Sequence, residues 1–116
     1  MRKIISLIII CLLLTACGNK YETIDTNKAL ELIDSGAIVI DVRTKEEYDE
    51  GHIKGSINIP VDEIDKIDYD KDDTLIIYCA TGIRSQNAIN KLVDMGYTSL
   101  YNLDGGLLNW GSDLEE

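Results

Sequence analysis

The sequence predicts one α/β domain organised around a parallel β-sheet, and three observations support this prediction. Apolar, β-branched runs at residues 37–42 and 75–78 are typical of strands buried on both faces of a parallel sheet. Segments with the i, i+3, i+4 apolar spacing of amphipathic helices alternate with such runs, as at residues 85–93. A length of 116 residues with 45% apolar residues allows one domain with one modest core.

The first residues of the chain are predicted to lie outside this domain. Two basic residues, Arg2 and Lys3, precede an apolar run at residues 4–14, which is shorter than the ~20 residues of a membrane-spanning helix. The following Leu14-Thr15-Ala16-Cys17 resembles a bacterial lipobox, in which the cysteine is lipid-modified and becomes the mature N-terminus. We therefore expect a lipoprotein signal peptide at 1–16, a lipidated N-terminus and tether at 17–22, and the domain at 23–116. The alternative is a plain secretory signal with an incidental cysteine.

This interpretation fixes the expected location and the number of free thiols. The lipid would hold the protein at the cell membrane, on its extracytoplasmic face. Cys11 leaves with the signal peptide and Cys17 carries the lipid, so Cys79 is left as a single unpaired thiol. Without a disulfide partner or a C-x-x-C motif, Cys79 is better explained as a reactive sulfur than as a structural one.

The first elements of the domain alternate between strand and helix. Residues 21–24 can form an edge strand, and Asp25 or Thr26 can cap a helix that ends near Gly36. Residues 37–42 form the next strand. A capping box at Thr44-Lys45-Glu46-Glu47 then predicts a short helix that ends at Gly51.

The second half continues the same alternation. The predicted elements, in chain order, are a strand at 56–59 ended by Pro60, one or two helical turns at 61–67, a loop at 68–73, a strand at 75–78, a helix from Ser85 stopped by Gly96, a strand at 97–103, a positive-φ turn at 104–106 and a helical piece at 107–110 that includes a buried Trp110. The strand at 75–78 ends at Cys79. Ligands of parallel sheets bind beyond the carboxyl ends of the strands, so Cys79 lies where a site is expected.

Cys79 and the loop after it are the candidate active site. The loop connects a strand to a helix N-terminus, so its backbone N–H groups can converge on a group at Cys79; they belong to Ala80, Thr81, Gly82, Ile83, Arg84 and Ser85. A helix N-terminus lowers the pKa of a thiol from its ordinary value of about 8.5. The Arg84 guanidinium would stabilise the thiolate and bind an incoming oxyanion through paired N–H donors. The alternative is a buried structural cysteine with a surface arginine nearby.

Charge and composition exclude several other classes of function. The formal net charge is −10, and removal of Arg2 and Lys3 with the signal peptide makes it −12, so nucleic-acid binding is not expected. The acid-rich run at residues 62–73 lacks the ligand spacing and the turn glycine of a calcium loop. We expect no metal and no cofactor.

Four motifs in succession carry a resemblance to a known family. They are Asp41-Val42-Arg43, Glu47-x-x-x-Gly51-His52-Ile53-x-Gly55-Ser56-x-Asn58-Ile59-Pro60, Cys79-x-x-Gly82-x-Arg84-Ser85 and Leu103-Asp104-Gly105-Gly106-Leu107-x-x-Trp110. In this order they resemble the signatures of the single-domain rhodanese (sulfurtransferase) family. The resemblance implies a rhodanese-like three-layer domain with a five-stranded, mainly parallel sheet flanked by helices. It also implies a Cys79 persulfide intermediate, a substrate site of loop amides and Arg84, and internal pairing of Asp41 with Arg43. For His52 it implies a packing role, with an acid or base near neutral pH as the alternative.

The function expected from these residues is sulfur transfer of the thiosulfate sulfurtransferase type. The Cys79 thiolate would take a sulfane sulfur from thiosulfate or a persulfide and pass it to cyanide, a thiol or a partner protein. A phosphate- or arsenate-handling enzyme is a second possibility, but cysteine phosphatases have a longer loop than the four residues between Cys79 and Arg84. A non-catalytic surface module that binds a partner is a third, and the presence of both Cys79 and Arg84 argues against it.

Overall fold

Five parallel strands form the central sheet of the computed structural model, which describes residues 20–112 and 114–116. In chain order the elements are β1 (Glu22–Ile24), α1 (Thr26–Asp34), β2 (Ile38–Asp41), α2 (Lys45–Glu50), β3 (His52–Ile53), β4 (Ile57–Asn58), a first 3₁₀ helix (Val61–Lys66), β5 (Thr74–Tyr78), α3 (Ile83–Asp94), β6 (Ser99–Leu103), a second 3₁₀ helix (Gly106–Asn109) and β7 (Leu114–Glu115). The sheet order is β1-β6-β5-β2-β4, and every neighbouring pair is parallel. The predicted α/β fold is confirmed.

Both faces of the sheet are covered, which makes the domain three-layered. Side chains alternate along β5, so that Leu75 and Ile77 pack on one face while Ile76 and Tyr78 pack on the other. The first face carries α3 and the first 3₁₀ helix, through Ile64, Ala88, Ile89 and Leu92. The second face carries α1 and the segment after β6, through Ala29 and Trp110. The central strand is therefore buried on both sides, as its continuous apolar sequence predicts.

Local capping explains where the early helices begin. Asp25 is the N-cap of α1, and its carboxylate accepts a hydrogen bond of 2.9 Å from the amide of Lys28. Thr44 and Glu47 form the predicted capping box of α2, each side chain accepting from the other residue's backbone N–H. Gly36 has φ +103° just after α1, the left-handed conformation expected of a glycine at that position.

Several details differ from the sequence prediction, and the strand predicted from residue 97 begins at Ser99. The start of α3 at Ser85 is wrong by two residues, because Gly82 adopts φ +111° as the N-cap and the helix begins at Ile83. The short strands β3 and β7 were not predicted from sequence; they pair antiparallel, with His52 opposite Glu115.

A buried ion pair fixes the carboxyl end of β2. The carboxylate of Asp41 accepts hydrogen bonds from Arg43 Nε at 3.0 Å and Nη2 at 2.7 Å. Arg43 Nη2 also donates to the Gly51 carbonyl at 2.7 Å, which links β2 to the end of α2. The predicted Asp41–Arg43 pairing is confirmed. His52 is packed as predicted, with its ring stacked on Tyr48 at a centroid distance of 3.7 Å.

The predicted signal peptide and the lipidation site Cys17 lie outside the described residues. Among residues 20–112 and 114–116, no helix is both long and apolar enough to cross a membrane.

Candidate active site

Cys79 directly follows the central strand β5, and its sulfur lies in a cradle of hydrogen-bond donors. The backbone N–H of Gly82 donates to Sγ at 3.0 Å, and that of Ser85 donates at 3.4 Å. The Ser85 hydroxyl lies 3.6 Å from Sγ. Cys79 is only 1% exposed, so these donors act in a site from which most water is excluded.

Glycine at position 82 allows the loop to curl around the sulfur. With φ +111°, Gly82 turns the chain so that its own N–H and the N–H groups of the first turn of α3 converge on one point. The Ser85 hydroxyl braces this turn, since it lies 3.0 Å from the Gly82 carbonyl. The predicted anion cradle around Cys79 is thus formed by residues on both sides of the helix start.

Asn102 is a buried polar residue in contact with the site that the sequence analysis did not identify. It lies on β6, next to β5 in the sheet, and its Oδ1 is 2.6 Å from Ser85 Oγ. A hydroxyl has one proton, so Ser85 donates to only one of Asn102, the Gly82 carbonyl and a Cys79 thiolate at a time. The signal that could have revealed it is a single amide side chain within the buried, otherwise apolar end of β6.

The second 3₁₀ helix fixes the main chain at Cys79 through two backbone hydrogen bonds. The amide of Leu107 donates to the Cys79 carbonyl at 2.8 Å, and the amide of Leu108 donates to the Ala80 carbonyl at 3.2 Å. Gly106 is buried against these same carbonyls, so that a side chain at that position would collide with them. The Asp104-Gly105-Gly106 motif therefore supports the position of the nucleophile.

The surroundings favour the ionised form of Cys79. Burial is the largest single effect and on its own raises the pKa of the thiol, but the hydrogen bonds to sulfur together outweigh it. The donors are the Ser85 hydroxyl and the amides of Ser85, Gly82 and Thr81. The net result is a pKa below the ordinary value of a cysteine thiol.

Arg84 points to a carboxylate that the sequence analysis assigned only a capping role. Its two terminal nitrogens donate to the two oxygens of Glu47, Nη1 to Oε1 at 2.7 Å and Nη2 to Oε2 at 3.0 Å. These hydrogen bonds are the main cause that lowers the pKa of Glu47 to about 2. Arg84 remains close enough to Cys79 for the thiolate to contribute to the raised pKa of the guanidinium. One N–H of each terminal nitrogen is thus engaged by Glu47, a contact that the sequence analysis did not predict.

The other predicted site residues contribute backbone rather than side chains. Thr81 and Ile83 project their side chains into solvent, Gly82 has none, and Ala80 is half-buried. The structure thus brings together Cys79, Gly82 and Ser85 directly.

We predict that Ser85→Ala raises the pKa of Cys79, because it removes a hydrogen bond that stabilises the thiolate. The rate of iodoacetamide alkylation should titrate below the ordinary range of a cysteine in the wild type and shift upward in the variant. A hydrogen bond of ~1.5 kcal/mol to a charged group corresponds to a loss of up to about tenfold in alkylation rate at a pH below the pKa of the wild-type thiol. Ser35→Ala, the same change at the exposed C-cap of α1, is the matched control. A pH profile of Ser85→Ala that overlays the wild type would contradict the assigned hydrogen bond.

Comparison with known proteins agrees with this geometry. The family model of the rhodanese-like domain matches residues 25–113. Rhodanese-like domain-containing protein 17 of Arabidopsis thaliana is 36% identical over 108 residues, covering 78% of this chain and 69% of the relative. Thiosulfate sulfurtransferase GlpE of Pseudomonas paraeruginosa is 34% identical over 99 residues, covering 82% of this chain and 88% of the relative.

A solved structure and a longer relative are also similar to this chain. The structure described as rhodanese with anions from E. coli superposes with a TM-score of 0.64 at 36% identity, covering 70% of this chain and 99% of that one. Another relative, tRNA uridine(34) hydroxylase of Erwinia tasmaniensis, is 30% identical over 107 residues, but the chain spans only 30% of its length. On the family match and the shared fold, this chain belongs to the rhodanese-like domain family.

Proposed function

We propose that the chain is a sulfurtransferase that carries a sulfane sulfur on Cys79 between a small donor and a thiophilic acceptor. The observation that carries this proposal is the Cys79 sulfur, which accepts hydrogen bonds from the Gly82 and Ser85 amides and has a lowered pKa. A thiolate held in this way is an activated nucleophile. The thiosulfate sulfurtransferase among the relatives supports the same reaction class.

The reaction needs two displacements at sulfur and no cofactor. In the first, Cys79 Sγ attacks the outer sulfur of a donor such as thiosulfate; the new Sγ–S bond forms while the donor S–S bond breaks, and sulfite leaves with the electron pair. In the second, an acceptor such as cyanide attacks the outer sulfur, the Sγ–S bond breaks, and its electron pair returns to Sγ. The cradle amides stabilise the negative sulfur at the beginning and end of this cycle.

Phosphate chemistry is supported less well by the same site. Only four residues separate Cys79 from Arg84, whereas cysteine phosphatases have a longer loop, so the amide cradle is tighter than a tetrahedral phosphate needs. Hydrogen bonds from the loop amides alone can stabilise a persulfide sulfur.

Intact mass measurement tests the proposal directly. The purified chain should gain the mass of one sulfur atom on incubation with thiosulfate, and should lose it on addition of cyanide. If no donor of sulfane sulfur produces this gain, the proposed reaction is wrong. Release of phosphate from an aryl phosphate by the same preparation would favour the phosphate-handling alternative.

We further propose that the protein is anchored to the extracytoplasmic face of the membrane by lipid on Cys17. The support is the lipobox-like Leu14-Thr15-Ala16-Cys17 after a short apolar run. Two or more acyl chains anchor a protein stably, whereas a single chain does so only marginally.

The anchor predicts how the full-length protein distributes in bacteria. The wild type should pellet with membranes, and Cys17→Ser should lose the lipid, with the signal peptide retained or cut elsewhere. Cys11→Ser, a cysteine change within the apolar run, is the matched control and should leave lipidation intact. A wild-type N-terminus that mass spectrometry finds unmodified at Cys17 would refute the anchor.

A further inference from the structure

Three buried polar groups form a chain that leads from the nucleophile to β6. Cys79 Sγ lies 3.6 Å from Ser85 Oγ, and Ser85 Oγ lies 2.6 Å from Asn102 Oδ1. Ser85 and Asn102 are 0% and 3% exposed, and Cys79 is 1% exposed, so water has little access to any of the three. A change in the direction of the Ser85 hydroxyl therefore takes its hydrogen bond from one neighbour and gives it to the other.

The two charge states of Cys79 place opposite demands on this hydroxyl. When Cys79 is a thiol, its S–H donates to Ser85 Oγ, and Ser85 donates onward to Asn102 Oδ1. When Cys79 is a thiolate, its sulfur only accepts, and the hydroxyl stabilises it by turning from Asn102 to Sγ. The amide oxygen of Asn102 then loses this hydrogen bond in a buried site, where such a loss is costly.

We propose that Asn102 is a positioning residue that competes with the Cys79 sulfur for the hydroxyl proton of Ser85. Asn102 receives this hydrogen bond whenever Sγ carries no charge, and gives it up when Sγ becomes a thiolate. The Gly82 carbonyl, 3.0 Å from Ser85 Oγ, is a further competitor at a longer distance. The proton stays on Oγ throughout, since only the direction of the O–H bond changes.

The role of Asn102 in sulfur transfer rests on the proposed function. In the persulfide, Sγ is bonded to the outer sulfur and carries no formal charge, so Ser85 donates to Asn102. In the second displacement the electron pair of the broken S–S bond returns to Sγ, and the Ser85 hydroxyl turns toward it. Asn102 therefore favours the forms of Cys79 in which Sγ is neutral, the thiol and the persulfide, over the thiolate.

The charged groups around the site do not change when Asn102 is replaced. Arg84 of α3 lies near the sulfur and is paired with Glu47 of α2, and Asp41 at the end of β2 is paired with Arg43. The second 3₁₀ helix contributes no titratable side chain. Asparagine and leucine are both uncharged, so a change in the pH profile of Asn102→Leu would report the hydrogen bond.

The pH profile of iodoacetamide alkylation tests the competition in the full-length protein, with the Cys79 peptide followed by mass spectrometry. Asn102→Leu keeps a side chain of similar size but removes the acceptor. The midpoint of its profile should move downward by up to about 1 pH unit, the equivalent of one neutral hydrogen bond. Asn90→Leu, the same change at an exposed position of α3, is the matched control and should keep the wild-type midpoint.

The double variant Ser85→Ala/Asn102→Leu separates competition from a purely structural role. Without the hydroxyl there is no proton to compete for, so Asn102→Leu should leave the midpoint of Ser85→Ala unchanged. Equal shifts in the presence and absence of Ser85 would overturn the proposal. Asn102→Ala supplies the same comparison if the leucine variant does not fold.

The direction of the shift is a second test. An unchanged midpoint in Asn102→Leu would overturn the proposal, and so would an upward shift, because Asn102 would then support the thiolate rather than oppose it. Alkylation needs no sulfur donor, so these outcomes are independent of sulfur loading. Failure to load Cys79 with sulfur would instead overturn the sulfurtransferase proposal.

Discussion

Cys79→Ser should abolish sulfur loading, so that thiosulfate produces no mass gain and cyanide no thiocyanate above the uncatalysed background. Serine differs from cysteine by one atom and can accept the same Gly82 and Ser85 hydrogen bonds, so the loop should keep its shape. Its hydroxyl is not ionised near neutral pH, whereas the cradle around Cys79 lowers the pKa of the thiol. The variant therefore removes the nucleophile but keeps the shape of the surrounding loop.

The other cysteines supply the control for this experiment. Cys17→Ser retains Cys79 and should still gain one sulfur atom, although it is expected to lose its lipid. Thermal unfolding of Cys79→Ser should stay close to that of the wild type, which separates loss of chemistry from loss of fold. Sulfur bound by Cys79→Ser under the same conditions would place the nucleophile elsewhere.

Most of the fold was predictable from local sequence patterns. The β-branched run of β5 predicted a strand buried on both faces, and the structure packs Leu75 and Tyr78 into opposite layers. The capping box of Thr44 and Glu47 was predictable because both partners lie within one helical turn. These features depend on neighbours in sequence, and the chemistry of those neighbours is visible in the sequence itself.

Contacts between distant segments were not predictable in the same way. The capping role alone explains a glutamate at position 47. Nothing in the neighbouring sequence indicates that its carboxylate also binds Arg84, 37 positions away. Asn102 reaches Ser85 only because β6 lies next to β5, which is a property of the strand order. The position of Cys79 was predictable from its loop, but the electrostatic state of Arg84 needed the tertiary structure.

Gly106→Ala should be strongly destabilising, because position 106 combines a left-handed backbone with direct contact to the nucleophile's peptide. Its φ is +62°, and a Cβ there would lie 2.7 Å from both the carbonyl carbon and the oxygen of Ala80, besides colliding with the Cys79 carbonyl. The neighbouring atoms are backbone and cannot rotate away. Left-handed strain costs roughly 1–2 kcal/mol and overpacking typically adds about 1–3 kcal/mol, so we expect the free energy of unfolding to fall by about 2–5 kcal/mol.

Gly36→Ala separates the two causes of this loss. Gly36 also has a positive φ, +103°, but a Cβ there meets nothing within 4 Å, so only the backbone strain of about 1–2 kcal/mol applies. Urea unfolding should therefore place Gly36→Ala between the wild type and Gly106→Ala. Sulfur loading by the folded fraction should fall in Gly106→Ala alone, because only that alanine displaces the carbonyls that Leu107 and Leu108 hold behind Cys79. Equal losses of stability in the two variants, with sulfur loading unchanged in both, would show that the contact behind Cys79 has no part in positioning the nucleophile.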